Sequence, residues 1–192
     1  MKRYIIILLL PTLLLTGCAQ QRAADPHPDW DPAWFRVSPD VGVEAPAGFS
    51  FNESNDVMSM AGLYYATWTA GEGWEITNSQ GRDALVYDAQ LYVLVKLHDS
   101  EADAEADVAD WMDLEGQNYE TGPEESLTAA GQDFRLLPLL QGGAANPYSQ
   151  GLAAFALRGT TTVTVELLCT DNWNGDPETT MTAFLNGFHY GN

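Results

Sequence analysis

The chain has 192 residues, of which 27 are acidic and 8 are basic, so its formal charge at neutral pH is −19. One domain takes about 100–200 residues, so this length allows a single core of ordinary size. A 45% share of hydrophobic residues is enough to order a folded chain, which excludes a disordered polyelectrolyte. Because such an excess of carboxylates repels phosphate backbones, nucleic acid is excluded as a partner.

The N-terminus has the organisation of a secretion leader. Lys2 and Arg3 precede an apolar stretch at residues 4–15, and small residues follow before Cys18. This stretch is shorter than the roughly 20 residues that a spanning helix needs. A cleaved signal peptide over residues 1–17 is therefore favoured over a permanent transmembrane anchor.

The sequence Leu15-Thr16-Gly17-Cys18 resembles the lipobox of bacterial lipoproteins. The resemblance implies that the Cys18 thiol is diacylglyceryl-modified and becomes the mature N-terminus. Two or more acyl chains, at about 0.8 kcal/mol per buried CH₂, hold a protein stably on a membrane. We therefore expect an extracytoplasmic protein that is anchored to a bacterial membrane by lipidated Cys18 alone. An ordinary cleaved secretory signal is the alternative.

Residues 18–28 are predicted to form the lipidated cysteine and a flexible tether, because this segment lacks hydrophobic periodicity and ends in prolines. Loss of the leader removes Lys2 and Arg3, so 27 negative and 6 positive charges remain, a net charge of −21 over 175 residues. Residues 29–192 are predicted to be one globular domain. Its acidity predicts that the domain stands off an anionic lipid surface.

The first part of the domain is predicted to contain strands. In an aromatic, proline-broken segment, residues 48–51 form the best short strand, and strand-like runs follow at 63–69, 74–77 and 85–98. Glycine-containing turns are predicted at 71–73 and 79–81. Along the last run apolar and polar residues alternate, with Leu94 as the exception. This pattern predicts that one face of the strand lies in the core and that the other is partly exposed to solvent.

A helix is predicted after Asp99-Ser100, which offers an N-cap before acidic residues that suit the positive end of a helix dipole. Gly116 is expected to end this helix. Its apolar side is formed by residues at helical spacing, namely Ala104, Val108, Trp111 and Met112.

A second group of strands is predicted at 125–129, 134–140, 152–158 and 160–169, with a loop at 142–147 and a tight turn at Arg158-Gly159. A final helix follows, with Asp176 as its cap and Pro177 at its first position. The stripe that docks this helix on the sheet is Met181, Phe184, Leu185 and Phe188.

The order of strands, helix, strands and helix predicts an α+β domain, an antiparallel β-sheet with two main helices packed on it. With Gly48-Phe49 in its first short strand, a helix after the third long strand and a terminal helix, the chain resembles the PsbP-like fold over residues 48–190. Small envelope lipoproteins of bacteria are often similar to this family. The resemblance implies a sheet flanked by helices and an accessory role in assembling or supporting a larger complex. It implies no catalytic residue.

Cys169 is the one cysteine that remains once Cys18 is lipidated, so no intramolecular disulfide is available. It shares the strand parity of neighbouring valines, which predicts a buried, inert thiol rather than a nucleophile. His98 would become its catalytic partner only if the fold brought the two together. His27, His98 and His189 lack the close spacing of a zinc site.

Two acidic segments imitate calcium loops in part. Asp103, Glu105 and Asp107 alternate with other residues in a predicted helix, where Val108 replaces the glycine that an EF-hand needs, so a solvated acidic face is favoured. Residues 171–176 form a truer loop, but Trp173 occupies a ligand position. The sequence thus predicts no metal, no cofactor and no enzyme signature.

The candidate ligand site is an aromatic and acidic cluster. Trp68 and Trp74 flank a turn that holds Glu72, and Glu75 follows Trp74. Aromatic faces beside carboxylates suit a cationic or sugar-like ligand. Packing of the rings in the core is the favoured alternative.

These observations predict a lipid-anchored, non-enzymatic cell-envelope protein that acts as an accessory or interaction module through contacts with another envelope protein. A small-ligand-binding lipoprotein that uses the cluster at Trp68 and Trp74 is the alternative, and a hydrolase ranks last. A concave pocket at the two tryptophans would favour ligand binding. A flat, filled sheet would favour protein contacts.

Overall fold

A computed structural model of the chain describes residues 29–54, 62–77, 81, 83–143 and 146–191. Cys18, the leader and the tether lie outside the described residues, so the expectations about them stay predictions. The described ranges contain the following elements: β1 (Phe35–Ser38), β2 (Val41–Val43), β3 (Ser50–Ser54), β4 (Leu63–Thr77), β5 (Asp83–Leu97), α1 (Glu101–Asn118), β6 (Tyr119–Thr121), β7 (Glu125–Ala129), β8 (Gln132–Gly142), β9 (Gln150–Arg158), β10 (Thr161–Cys169), α2 (Pro177–Asn186) and β11 (Phe188–Tyr190).

Eight of these strands form one antiparallel sheet. Its order is β3-β4-β5-β10-β9-β8-β6, and β7 also pairs with β8. A small antiparallel sheet has the order β1-β2-β11. The predicted fold class, α+β with an antiparallel sheet and two helices, is confirmed by this arrangement. No helix within the described ranges is long and apolar enough to cross a membrane.

One face of the large sheet carries the main core. Alternate residues of β5 and β10 are buried there, including Leu91, Val93, Val165 and Leu167. The small sheet and α2 cover this face. Full burial of each such side chain stabilises the fold by about 1.5–3 kcal/mol, so this layer dominates the stability of the domain.

The helix α2 follows the prediction closely at its start. The Asp176 side chain accepts a hydrogen bond from the Thr179 backbone N–H, and Pro177 is the first helical residue. Met181, Phe184 and Leu185 are buried, as the stripe predicts. The helix ends at Asn186, however, so the next apolar residue of the stripe, Phe188, begins β11.

The helix α1 lies on the other face of the large sheet. Its N-cap is Ser100, whose side chain accepts a hydrogen bond from the Asp103 backbone N–H. Val108 packs there in a smaller apolar cluster with Leu139 and Phe155. The helix continues past Gly116 to Asn118, so the predicted end was two residues early. A glycine costs only about 1 kcal/mol inside a helix, which is too little to end the helix by itself.

One expectation about the strands requires correction, and one strand pair was not predicted. Residues 63–77 form one strand rather than two, because the pairing with β5 passes over a β-bulge between Ala70 and Gly73 instead of a turn. Gly71 has a φ of +81°, and a Cβ there would clash with the Asp88 side chain. The sequence also gave no prediction of the β1–β2 hairpin, whose strands are too short to carry an alternating pattern.

Candidate functional site

The aromatic and acidic residues that the sequence predicts as a ligand site do not form one site. Trp68 is only 1% exposed, and its ring meets Phe35, Phe51 and Phe184 edge to face at centroid distances of 5.3, 6.1 and 5.8 Å. Core packing, the favoured alternative, therefore holds for Trp68. In this structure aromatic side chains already surround the ring and leave no room for a ligand beside it.

Trp74, Glu72 and Glu75 lie instead on a two-stranded extension of the large sheet. Here β4 and β5 pair with each other as far as Thr77 and Asp83. The neighbouring strands end earlier, because β3 pairs with β4 only as far as Thr69 and β10 pairs with β5 only as far as Ala89. We call residues 71–77 and 83–87 the ribbon. In the described part of the chain, no further strand pairs with either outer edge of the ribbon.

The ribbon has an apolar face and an acidic face. Trp74 pairs with Val86, and Ile76 pairs with Ala84, so four apolar residues share one face. On the opposite face Glu75 pairs with Leu85, and Leu85 is 53% exposed.

An acidic side chain accepts a hydrogen bond at each end of the ribbon, Asp83 on the acidic face and Asp88 on the face of Ala84 and Val86. The Thr77 hydroxyl donates a 3.0 Å hydrogen bond to the Asp83 carboxylate, and the Glu72 backbone N–H donates one of 3.2 Å to Asp88. The ribbon thus combines exposed apolar surface with negative charge.

A second cluster, which the sequence analysis did not find, lies between α1 and the large sheet. Glu115 on α1 is 4% exposed, and Glu166 in the middle of β10 is 8% exposed. The two carboxyl groups lie close enough to interact directly. Glu166 Oε1 is buried and accepts no hydrogen bond from the described residues.

The surroundings of this pair disfavour negative charge. Burial, followed by the neighbouring Glu115 carboxylate, raises the pKa of Glu166 to about 8. Burial also raises the pKa of Glu115. Two like charges in a poorly solvated place cannot both ionise without cost. At neutral pH the pair therefore shares a proton.

A cavity of about 360 Å³ opens beside the two carboxyl groups, and we call it the carboxyl pocket. Three aromatic side chains, Trp111, Tyr119 and Tyr148, contribute to its lining. The Tyr148 hydroxyl donates a 2.8 Å hydrogen bond to Gln90, and the Tyr148 backbone N–H donates one of 3.0 Å to Asn146 Oδ1. These bonds hold part of the wall in a fixed orientation.

The sequence contains a signal for both acids. Glu115 extends the apolar side of α1, because it follows Trp111 by four residues. Glu166 interrupts an otherwise apolar and threonine-rich strand, and it shares the parity of Thr162 and Thr164. The sequence alone shows an acid at a core-facing position of a helix and another acid inside a buried strand. It does not show that the two acids are in contact, because that contact depends on how α1 lies across the sheet.

Another polar network fixes the N-terminal half of α1 to the sheet. One Asp107 carboxylate oxygen contacts the Lys96 ammonium group, and the other accepts a 3.2 Å hydrogen bond from the Thr162 hydroxyl. His98 Nε2 lies 3.1 Å from that hydroxyl and 3.4 Å from the carboxylate. Asp107 is thus turned toward the sheet, which corrects the expectation that it belongs to a solvated acidic face.

Cys169 is fully buried, as predicted, and burial raises the pKa of its thiol to about 12. A thiolate is the reactive form of cysteine, so we expect this buried thiol to react slowly in the folded protein. Cys169 pairs with Ala89 at one end of β10, whereas Thr161 at the other end pairs with Leu97, next to His98. At about 3.3 Å per residue, a strand of this length separates the two groups by roughly 26 Å. The structure therefore does not bring Cys169 and His98 together.

The acids of the loop at 171–176 have structural partners. Asp171 accepts a 2.6 Å hydrogen bond from the Ser149 hydroxyl, and Asp176 caps α2. The Trp173 ring packs against Phe49 at a centroid distance of 6.3 Å. Over the described residues, no group of three or more His, Cys, Asp and Glu side chains is arranged to hold a metal ion.

Comparison with known proteins gives structural likenesses but no match at the level of sequence. No protein-family model and no curated protein matches the sequence. Among solved structures, the chain is similar to the cyanobacterial PsbP protein (CyanoP) from Synechocystis sp. PCC 6803, at 13% identity and a TM-score of 0.39. The similarity covers 77% of this chain and 95% of that chain. The α+β assignment rests on the strand pairing described above, and no role is carried over from CyanoP.

Proposed function

We propose that the protein is a lipid-anchored, non-enzymatic component of the bacterial cell envelope that acts as a protein-interaction module. The lipobox-like sequence ending at Cys18 supports the anchor. The observation that carries the interaction role is the ribbon, whose two outer edges are not paired with any other described strand.

An open strand edge is a template for an extended segment of another protein. Its unpaired N–H and C=O groups provide main-chain hydrogen bonds, and adjacent side chains provide specificity. In the ribbon, Leu85 is the exposed large apolar side chain available for such contact, and Trp74 is half-buried. Burial of a large apolar or aromatic anchor commonly supplies much of the affinity of an interface.

The negative charge of the ribbon determines which charge we expect on the partner segment. Glu72, Glu75 and Asp83 are exposed on it, so an extended segment that is basic or neutral suits it better than an acidic one. Edge-to-edge pairing of two copies would bring these acids together and is opposed by the large net negative charge of the chain. The occupant that we propose is therefore an extended, basic or neutral segment of another envelope protein.

The experiment places a photo-crosslinking residue at position 85 of the full chain in the producing bacterium. The matched control has the same residue at position 114, because Leu114 on α1 is also an exposed leucine, at 42% against 53% for Leu85. We expect a discrete crosslinked adduct from position 85 and none of that mass from position 114. Equal adducts from both positions would contradict a role for the ribbon.

A charge reversal tests the chemistry of the partner. Glu72→Lys with Glu75→Lys should lower the yield of the position-85 adduct, since the partner segment then meets positive charge. The control, Glu101→Lys with Glu105→Lys, makes the same change in net charge on exposed acids of α1. If both double variants reduce the adduct to the same extent, the effect reports net charge and the proposed surface is wrong.

A further inference from the structure

The carboxyl pocket contains a buried acceptor that lacks a donor. Glu166 is more than nine-tenths buried, it lines the pocket, and its Oε1 accepts no hydrogen bond from the described residues. A buried polar atom without a hydrogen-bond partner carries an energetic cost in the folded protein. A ligand with an N–H donor at this atom would remove that cost.

The groups around Glu166 supply negative charge and phenols. Glu115 faces it from α1, Tyr92 from β5 and Tyr119 from β6. On β9 the paired residue is Ala153, which carries no charge. Because each of these ionisable groups is an acid or a phenol, the charge still required for neutrality is positive.

The end of α1 adds to this requirement. A helix carries partial negative charge at its C-terminus, where a cation is stabilising. Glu115 lies in the last turn of α1, and that turn contains no basic residue. The carboxyl pair and the C-terminus of α1 therefore both favour a ligand with positive charge.

From these observations we propose that the carboxyl pocket binds an organic ammonium ion, with Glu115 and Glu166 as its anionic receptors. The cation donates an N–H to Glu166 Oε1, and the proton that the two carboxyl groups share leaves to solvent. The pair then carries two negative charges instead of one, and the ammonium ion compensates for the added charge. No covalent bond forms or breaks apart from the release of that proton.

The walls favour an organic cation over a metal ion. Trp111, Tyr119 and Tyr148 line the pocket, and the electron-rich face of an aromatic ring attracts a cation. A calcium ion takes six to eight oxygen ligands, whereas the pocket offers two carboxyl groups and the side chains of Asn118 and Asn146, and the Asn146 oxygen already accepts the Tyr148 N–H. A volume of about 360 Å³ lies within the range of small-ligand pockets.

Calorimetric titration of the full chain in a neutral detergent tests the proposal. The probes are n-butylammonium, tetramethylammonium, which lacks an N–H donor, and magnesium, all at constant ionic strength. We expect saturable binding of n-butylammonium with release of about one proton, measured in buffers of different ionisation enthalpy. The dissociation constant should fall by up to tenfold per pH unit between pH 6 and 8, because one proton is exchanged for the cation.

Variants separate the two carboxyl groups from general acidity. Glu166→Gln should abolish the proton release and weaken n-butylammonium binding at least tenfold. Glu105→Gln, which removes an exposed acid from the same helix, should leave both unchanged. The number of protons released on binding is measured in the wild-type protein, so the proposal can still be tested if Glu166→Gln folds poorly.

Four results would overturn the proposal. The first is the absence of saturable heat with n-butylammonium. The second is equal binding of tetramethylammonium, which would exclude N–H donation to Glu166 Oε1. The third is binding without proton release. The fourth is unchanged binding of n-butylammonium by Glu166→Gln.

Discussion

Replacing Glu166 with glutamine should remove a pH dependence of the protein's stability. In the folded protein burial raises the pKa of Glu166 to about 8, whereas the ordinary value is 4.5. Between these values the folded state holds a proton that the unfolded state has released. The free energy of unfolding therefore falls as the pH rises through this window, by up to about 1.4 kcal/mol per pH unit. This loss of stability is absent below the pKa that Glu166 has in the unfolded state, and it is complete above the pKa that Glu166 has in the folded state.

The size of the effect follows from that slope. From pH 5 to pH 8 the upper limit is about 4 kcal/mol. Rearrangement of the pair and entry of water reduce this limit, and half of it, about 2 kcal/mol, is the expected loss. For a domain of this size, about 2 kcal/mol corresponds to a fall in melting temperature of roughly 4–8 °C. Exposed carboxylates in general titrate below pH 5, so they contribute little in this window.

The glutamine side chain has the shape of the protonated acid and stays neutral at every pH of the experiment. Melting of the full chain by near-UV circular dichroism, at constant ionic strength, should give a flat profile for Glu166→Gln from pH 5 to pH 8. The variant should also melt above the wild-type protein at pH 8. Glu105→Gln is the control, because it removes the same charge from an exposed position. Parallel profiles for wild type and Glu166→Gln would refute the reasoning about the buried pair.

Three further outcomes test the anchor and the core. Cys18→Ser should prevent lipidation, so the protein should leave the detergent phase on Triton partitioning; a wild-type form whose mass shows no lipid would contradict the anchor. Trp68→Ala should cost about 3–5 kcal/mol in urea unfolding, because it leaves a cavity among three phenylalanines, and a loss below about 1 kcal/mol would be inconsistent with that packing. Cys169 should react with a thiol reagent orders of magnitude more slowly in native than in denatured protein; rapid native labelling would show that the thiol is accessible.

The elements that could be predicted are those with local signals. Asp176-Pro177 specifies the start of α2 through a side-chain cap and a residue that needs no N–H partner. The strand β7 has the bounds that the sequence predicts, 125–129. Parity along β5 and β10 identified residues of the main core, because alternate side chains of a strand point to the same face of the sheet, although β10 is buried on both faces.

The features that escaped prediction depend on contacts between distant residues. The glycines at 71 and 73 favour a turn on local grounds, yet β5 continues alongside them, and the extra residue is absorbed as a bulge. Asp107 and Glu115 carry the same acidic signal as the exposed residues of α1. Only the position of the helix over the sheet decides that these two acids face inward.

The two inward acids of α1 are neutralised in different ways, and this difference links stability to binding. Asp107 meets the Lys96 ammonium group, whereas Glu115 meets another carboxyl group and relies on a shared proton. A proton and an ammonium ion therefore compete for the Glu115–Glu166 pair. Raising the pH should destabilise the ligand-free protein and strengthen binding of the ammonium ion. Saturating n-butylammonium should consequently reduce the fall in melting temperature between pH 5 and pH 8. If Glu166→Gln flattens the pH profile but the amine leaves the wild-type profile unchanged, the pair holds a structural proton and the ligand proposal fails.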